Sequence, residues 1–142
     1  MGAWGIKSFE NDRAMDWLGH FLENPVEETI LQAFEEKVII ENPGLIGKLF
    51  GQKPKKFTDD IDGEEVLAAA EVVAYCRQNS NELIHEELKG IPKIEVSALV
   101  RDKAVSAINS ILRDSDSKEC WEEAGELIEW QAEVSGLLER LS

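Results

Sequence analysis

Val66-Leu67-Ala68-Ala69-Ala70-Glu71-Val72-Val73-Ala74-Tyr75-Cys76 is the stretch on which the fold turns. As a helix it is apolar almost all round, with Glu71 the main exception. Such a helix belongs in the middle of a bundle, covered on several sides. Its alanines let neighbouring helices come close. Asp62-Gly63-Glu64-Glu65 in front of it reads as a cap followed by acids in the first turn, where the helix dipole favours them. Asn79-Ser80-Asn81 closes it.

Toward the N-terminus, Asn11 or Asp12 caps a helix running from about 12 to 22. Ala14, Trp17, Leu18, Phe21 and Leu22 recur there at helical spacing and draw one apolar stripe. Asn24-Pro25-Val26-Glu27 reads as the opening of the next helix, with Asn24 as cap, Pro25 in the first turn and Glu27 closing a capping box. Val26, Ile30, Phe34 and Val38 form its inner face, and Val38-Ile39-Ile40 is read as its last turn rather than a strand. Residues 42–61 are irregular, broken by Pro43, Gly44, Gly47, Gly51 and Pro54, with one helical turn expected around Leu45–Phe50. Lys48, Lys53, Lys55 and Lys56 make this the one basic island of the chain. Trp4 and Phe9, set among Gly2 and Gly5, are expected to plug the start of the chain into the core.

Toward the C-terminus a short helix should turn Leu83, Ile84 and Leu88 inward before Gly90 and Pro92 end it. Ser97 to Leu112 is amphipathic, with Val96, Leu99, Val100, Ala104, Ala107, Ile108, Ile111 and Leu112 on its stripe. Asp114 to Ser117 is a turn rich in capping residues. Cys120, Trp121 and Ala124 belong to a short helix that Gly125 interrupts. Leu127, Trp130, Val134, Leu137 and Leu141 then form a seam that packs on a neighbouring helix or on a partner chain, which leaves a monomer or a weak homodimer. Helices joined by short loops give an all-α domain over residues 1–142, a bundle of about six helices around the alanine-rich one.

Composition narrows the function classes. The 142 residues suit one domain with a real core. Twenty-nine acids against fifteen bases give a net charge of −14. That disfavours direct nucleic-acid binding, which needs Lys and Arg against phosphate, and suits a basic protein partner. No apolar run approaches the roughly 18 residues of a membrane span. The N-terminus shows no secretory signal, and Ile6 stands where myristoylation wants Ser or Thr. Cys76 and Cys120 suggest no disulfide framework. The expectation is a cytoplasmic protein with two reduced thiols and no membrane association.

Chemistry-bearing motifs are few. Asp16 and His20 lie four apart on one helix, and Glu82-Leu83-Ile84-His85 has the Glu-x-x-His spacing of di-metal bundles. Those sites need two such motifs with further inward glutamates, and the apolar stripes have no gaps for them. Surface histidines are the plainer reading, and no metal, cofactor or catalytic residue is assigned. A small metal protein or enzyme using Asp16, His20, Glu82 and His85 is the alternative. No nucleophile elbow or phosphate-binding Gly-rich loop is present, and Cys76 on the central helix should have a raised pKa. From Asp114 to Ser142, nine acids face only Lys118 and Arg140. Such a run is usually a solvated face; its sharper meaning is a docking surface for a basic protein, as an immunity-type inhibitor would use.

Two segments together resemble a known family. Met1-Gly2-Ala3-Trp4-Gly5 with Phe9-Glu10-Asn11-Asp12 and Asp16-Trp17 resembles the opening of a bacterial family known as domain of unknown function 4259. Trp121-Glu122-Glu123-Ala124-Gly125-Glu126-Leu127 with Glu129-Trp130 resembles its ending, and Ala68–Val73 its middle. The 42–62 loop is longer and richer in lysine than that family's usual connection. The resemblance implies a bacterial origin and no established activity. It also implies that the two chain ends pack together and form a pocket or partner surface. Trp4, Asn11, Asp12, Glu122, Glu123 and Glu126 are the expected partner-binding residues, with helix capping the plainer role for Asn11 and Asp12.

Overall fold

The computed structural model describes residues 5–34, 60–78 and 82–142. Trp4, the end of the second helix with Val38–Ile40, the lysine-rich stretch to residue 59 and Asn79–Asn81 lie outside the described residues. Those described form an all-α bundle. Its helices are α1 (Asp12–Glu23), α2 (Glu27–Phe34), α3 (Asp60–Arg77), α4 (Ala98–Arg113), α5 (Asp116–Glu123) and α6 (Leu127–Leu141), with a 3-10 turn at Glu86–Leu88. Among the described residues no helix is long and apolar enough to cross a membrane.

Helix α3 is the hub: it packs against α1, α2, α4, α5 and α6. Ala68, Ala69, Ala70, Val72 and Val73 are completely enclosed. Small side chains on successive faces make this possible, because each neighbour can close on a nearly bare backbone. At its start the Gly63 Cα lies against Ser117, where a Cβ would stand 3.0 Å from the hydroxyl oxygen. The helix begins at Asp60, ahead of the expected cap at Asp62.

Capping chemistry sets most of the other boundaries. Asn11 caps α1, its Oδ1 accepting from the Ala14 N–H at 2.7 Å. Ser97 caps α4 and Ser115 caps α5. Asn24 ends α1 instead of capping α2, and its carbonyl accepts from the Thr29 hydroxyl at 2.8 Å. Glu27 closes no box; its carboxylate accepts the Ser97 N–H at 2.6 Å and ties the start of α2 to the start of α4. Gly125, at φ +78°, ends α5 in a Schellman turn. Glu126 N–H bonds to the Trp121 carbonyl and Gly125 N–H to that of Glu122.

Several apolar residues expected inside are not. Leu22, Val26, Leu83, Ile84 and Leu99 are all exposed. Leu99 shares a helix face with Lys103, Ser106 and Ser110, so the core side of α4 begins at Val100. Leu22 falls seven residues after Met15 on the exposed edge of α1. The expected short helix around Leu83 to Leu88 shrinks to its 3-10 turn, which buries Leu88 and puts His85, not Leu83 or Ile84, inside. The α6 seam is filled within the chain: Trp130, Val134, Leu137 and Leu141 are buried against α3, α4 and α5.

Candidate functional site

Glu71 is the charge that interrupts the apolar hub, and it is 1% exposed. A carboxylate so placed must be neutralised and hydrogen-bonded. Arg140 reaches it from α6, with Nη1 on Oε1 at 2.6 Å and Nη2 on Oε2 at 3.3 Å. His85 Nε2 lies 2.8 Å from Oε2, and the Ser8 hydroxyl donates to the same oxygen at 2.7 Å. Burial pushes the Glu71 carboxyl up. The hydrogen bonds and positive charges of His85 and Arg140 outweigh it and hold the group below the ordinary carboxylate value. Phe9, fully buried, meets the His85 ring edge-on at 5.4 Å between centroids.

Ser, His and Glu side by side suggest a catalytic triad, but the connectivity is wrong for one. A nucleophilic serine gives its proton to histidine, which the acid orients from behind. Here the hydroxyl and the imidazole both address the carboxylate. The cluster joins the N-terminal segment, α3, the 3-10 turn and α6 at one point. His85 is therefore a buried partner of Glu71 and not a surface histidine. His20 does lie on the surface, with Asp16, in a groove of about 320 Å³ between α1, α2 and α3 that Glu65 also lines. Glu82 and His85 are not on a helix, so their spacing does not place them on one face. Among the described residues no three His, Cys, Asp or Glu side chains converge as a metal site.

The two chain ends do meet. Lys7 and Asn11 line a crevice with Leu67, Trp121 and Trp130, of about 30 Å³. That is room for ordered water and not for a substrate. Asn11 is buried and its side chain is engaged in capping, with Nδ2 also donating to the Ser8 carbonyl. Asp12 is exposed in the first turn of α1. Glu122, Glu123 and Glu126 stand exposed around the α5–α6 corner, outside the crevice, with Ala124 and Glu129. In the first turn of α6, Ile128 is 77% exposed. The expected grouping of Glu122, Glu123 and Glu126 with Asn11 around that crevice is not seen, since of these only Asn11 lines it. Ile128 and the Glu71 cluster were missed, although Glu71 carried a signal as a lone charge in an apolar run.

Cys76 is half-buried beside the Pro92 carbonyl, and burial pushes its thiol up, against the Ile94 backbone hydrogen bond and the Lys93 charge. Cys120 is likewise half-buried. No curated protein and no solved structure matches the chain. The family described as a domain of unknown function, DUF4259, matches residues 2–133, from the N-terminal segment through α1, the hub and α5 into α6, and the chain belongs to that family.

Proposed function

We propose that this is a non-catalytic, cytoplasmic binding domain of bacterial origin whose α5–α6 corner docks on a basic protein, as an immunity-type inhibitor does. The observation that carries this reading is Ile128, 77% exposed, in the same short stretch of chain as exposed Glu122, Glu123, Glu126 and Glu129. An apolar anchor inside a polar rim is the anatomy of a protein interface. The carboxylates would speed association and reject acidic competitors more than they add affinity. The corner is well suited to this because Ser115 caps α5 and the Schellman turn at Gly125 fixes the exit. Two cysteines with no spacing that suggests a disulfide framework fit a reducing compartment.

The test is affinity purification of the tagged protein from its host at low salt, read by mass spectrometry. Parallel runs use the triple variant Glu122→Lys, Glu123→Lys, Glu126→Lys and the single variant Ile128→Asp. One basic protein, released as salt rises and lost with both variants while their circular dichroism is unchanged, is the expected result. Equal capture by wild type and variants would reduce the corner to a solvated surface.

A further inference from the structure

Two short non-helical segments are held to the hub by one carboxylate oxygen. Glu71 Oε2 accepts from the Ser8 hydroxyl of the N-terminal segment at 2.7 Å and from His85 Nε2 of the 84–87 turn at 2.8 Å. An ionised carboxylate only accepts, so the imidazole gives Nε2–H whatever its own charge. Arg140 makes its short bond, 2.6 Å, to the other oxygen, so α6 keeps its hold on the hub without either segment.

Each segment is otherwise thinly attached. Phe9 is the one buried side chain of residues 5–10, and His85 and Leu88 are the buried ones of residues 82–90. Among the described residues no backbone hydrogen bond ties 7–10 or 85–89 to a helix. The Glu10 N–H bonds to the Lys7 carbonyl, and those of Leu88 and Lys89 to His85 and Glu86, all within their own segment. A cleft of about 190 Å³, with Lys7 and Glu10 on one side and Ile84, Glu86 and Glu87 on the other, parts the two. They touch where Phe9 lies edge-on to the His85 ring.

The two bonds to Oε2 depend on the absence of water. A hydrogen bond to a charged group has a large net value only where solvent cannot replace it. Glu71 is 1% and His85 5% exposed. Lifting Phe9 would let water reach the imidazole and the carboxylate oxygen, and the bond left on the turn would lose most of its value. Lifting the turn would do the same to the Ser8 bond. Each segment is part of the other's dry surroundings.

We propose that the N-terminal segment and the 84–87 turn form a single clasp on Glu71. The two open together, as a unit separate from the helices. Opening bares Phe9, His85 and the Glu71 carboxylate at one place, while the Arg140 pair still joins α3 to α6.

Amide hydrogen exchange of the full chain, read residue by residue by NMR, tests this with Ser8→Ala, which removes one hydroxyl. The Leu88 amide reports on the turn and is perturbed from the other segment. The Val72 and Val73 amides report on the hub. In wild type the Leu88 amide should exchange through an opening more frequent than the one that frees Val72 and Val73. In Ser8→Ala its exchange should rise about tenfold, the worth of a hydrogen bond to a charged group. Unchanged Leu88 exchange in the variant would overturn the proposal, because the turn would then open alone. Leu88 exchange as slow as that of Val72 and Val73 in wild type would also overturn it, because the turn would then open only with the whole bundle.

Discussion

Replacing Glu71 by glutamine tests the central polar cluster with almost no change of volume. The amide keeps one acceptor oxygen for Ser8 or His85 and removes the charge that Arg140 and His85 face. Breaking a buried ion pair from one side costs about 3–5 kcal/mol. The stranded guanidinium of Arg140 is 27% exposed and can turn partly to water, so its share must be discounted. The expected loss for Glu71→Gln is therefore about 2–3 kcal/mol. In a chain of this size that lowers the melting midpoint by roughly 5–10 °C. Urea unfolding followed by circular dichroism measures it. The pH dependence supplies a second reading. Because the folded-state pKa of Glu71 lies below its ordinary value, its contribution is complete above the unfolded value of about 4.3. It is lost as pH falls through the lower, folded value. Wild type should lose stability along that acid limb faster than the glutamine variant. A loss under about 0.5 kcal/mol, or superimposable acid limbs, would refute the claim that the cluster holds the fold.

Three further substitutions probe the frame around it. Asn11→Ala removes the α1 cap and should cost about 1 kcal/mol by urea titration, with helix content otherwise retained. Ala69→Leu forces a branched side chain into a fully enclosed position on the hub and should cost about 1–3 kcal/mol or more. A neutral result would mean that the neighbouring helices are not closed on α3. Gly125→Ala puts a Cβ on a left-handed residue and should cost about 1–2 kcal/mol by thermal melting.

Most of the architecture was legible because helical period and capping are local signals. The apolar run of α3 announced the hub, and Asn11, Ser97 and Ser115 could be judged within a few residues of themselves. The misplaced residues, such as Leu99, failed where one helical position separates the buried edge from the exposed one. At Leu83 and Ile84 there is too little helix to define a face. Glu71 was visible as an exception, but its meaning was not. Its partners are 14 and 69 residues away, at His85 and Arg140, and no periodicity reports such a pairing. For the same reason His85 looked like a surface histidine. The acidic corner was legible as charge. The exposure of Ile128 was not, because beside Leu127 it reads equally well as core.

The shared carboxylate also bears on how the chain is made. Glu71 leaves the ribosome well before Arg140, so for that interval a growing chain carries the hub with only Ser8 and His85 to meet its acid. Closing α1 and α2 over α3 early would bury a carboxylate that lacks its bidentate Arg140 partner. The favoured course is delay, with the hub left partly open to water until α6 arrives. Assembly is then a single late event instead of a stepwise one. A fragment ending before α6 should be a substrate for proteases and chaperones, not a smaller working domain.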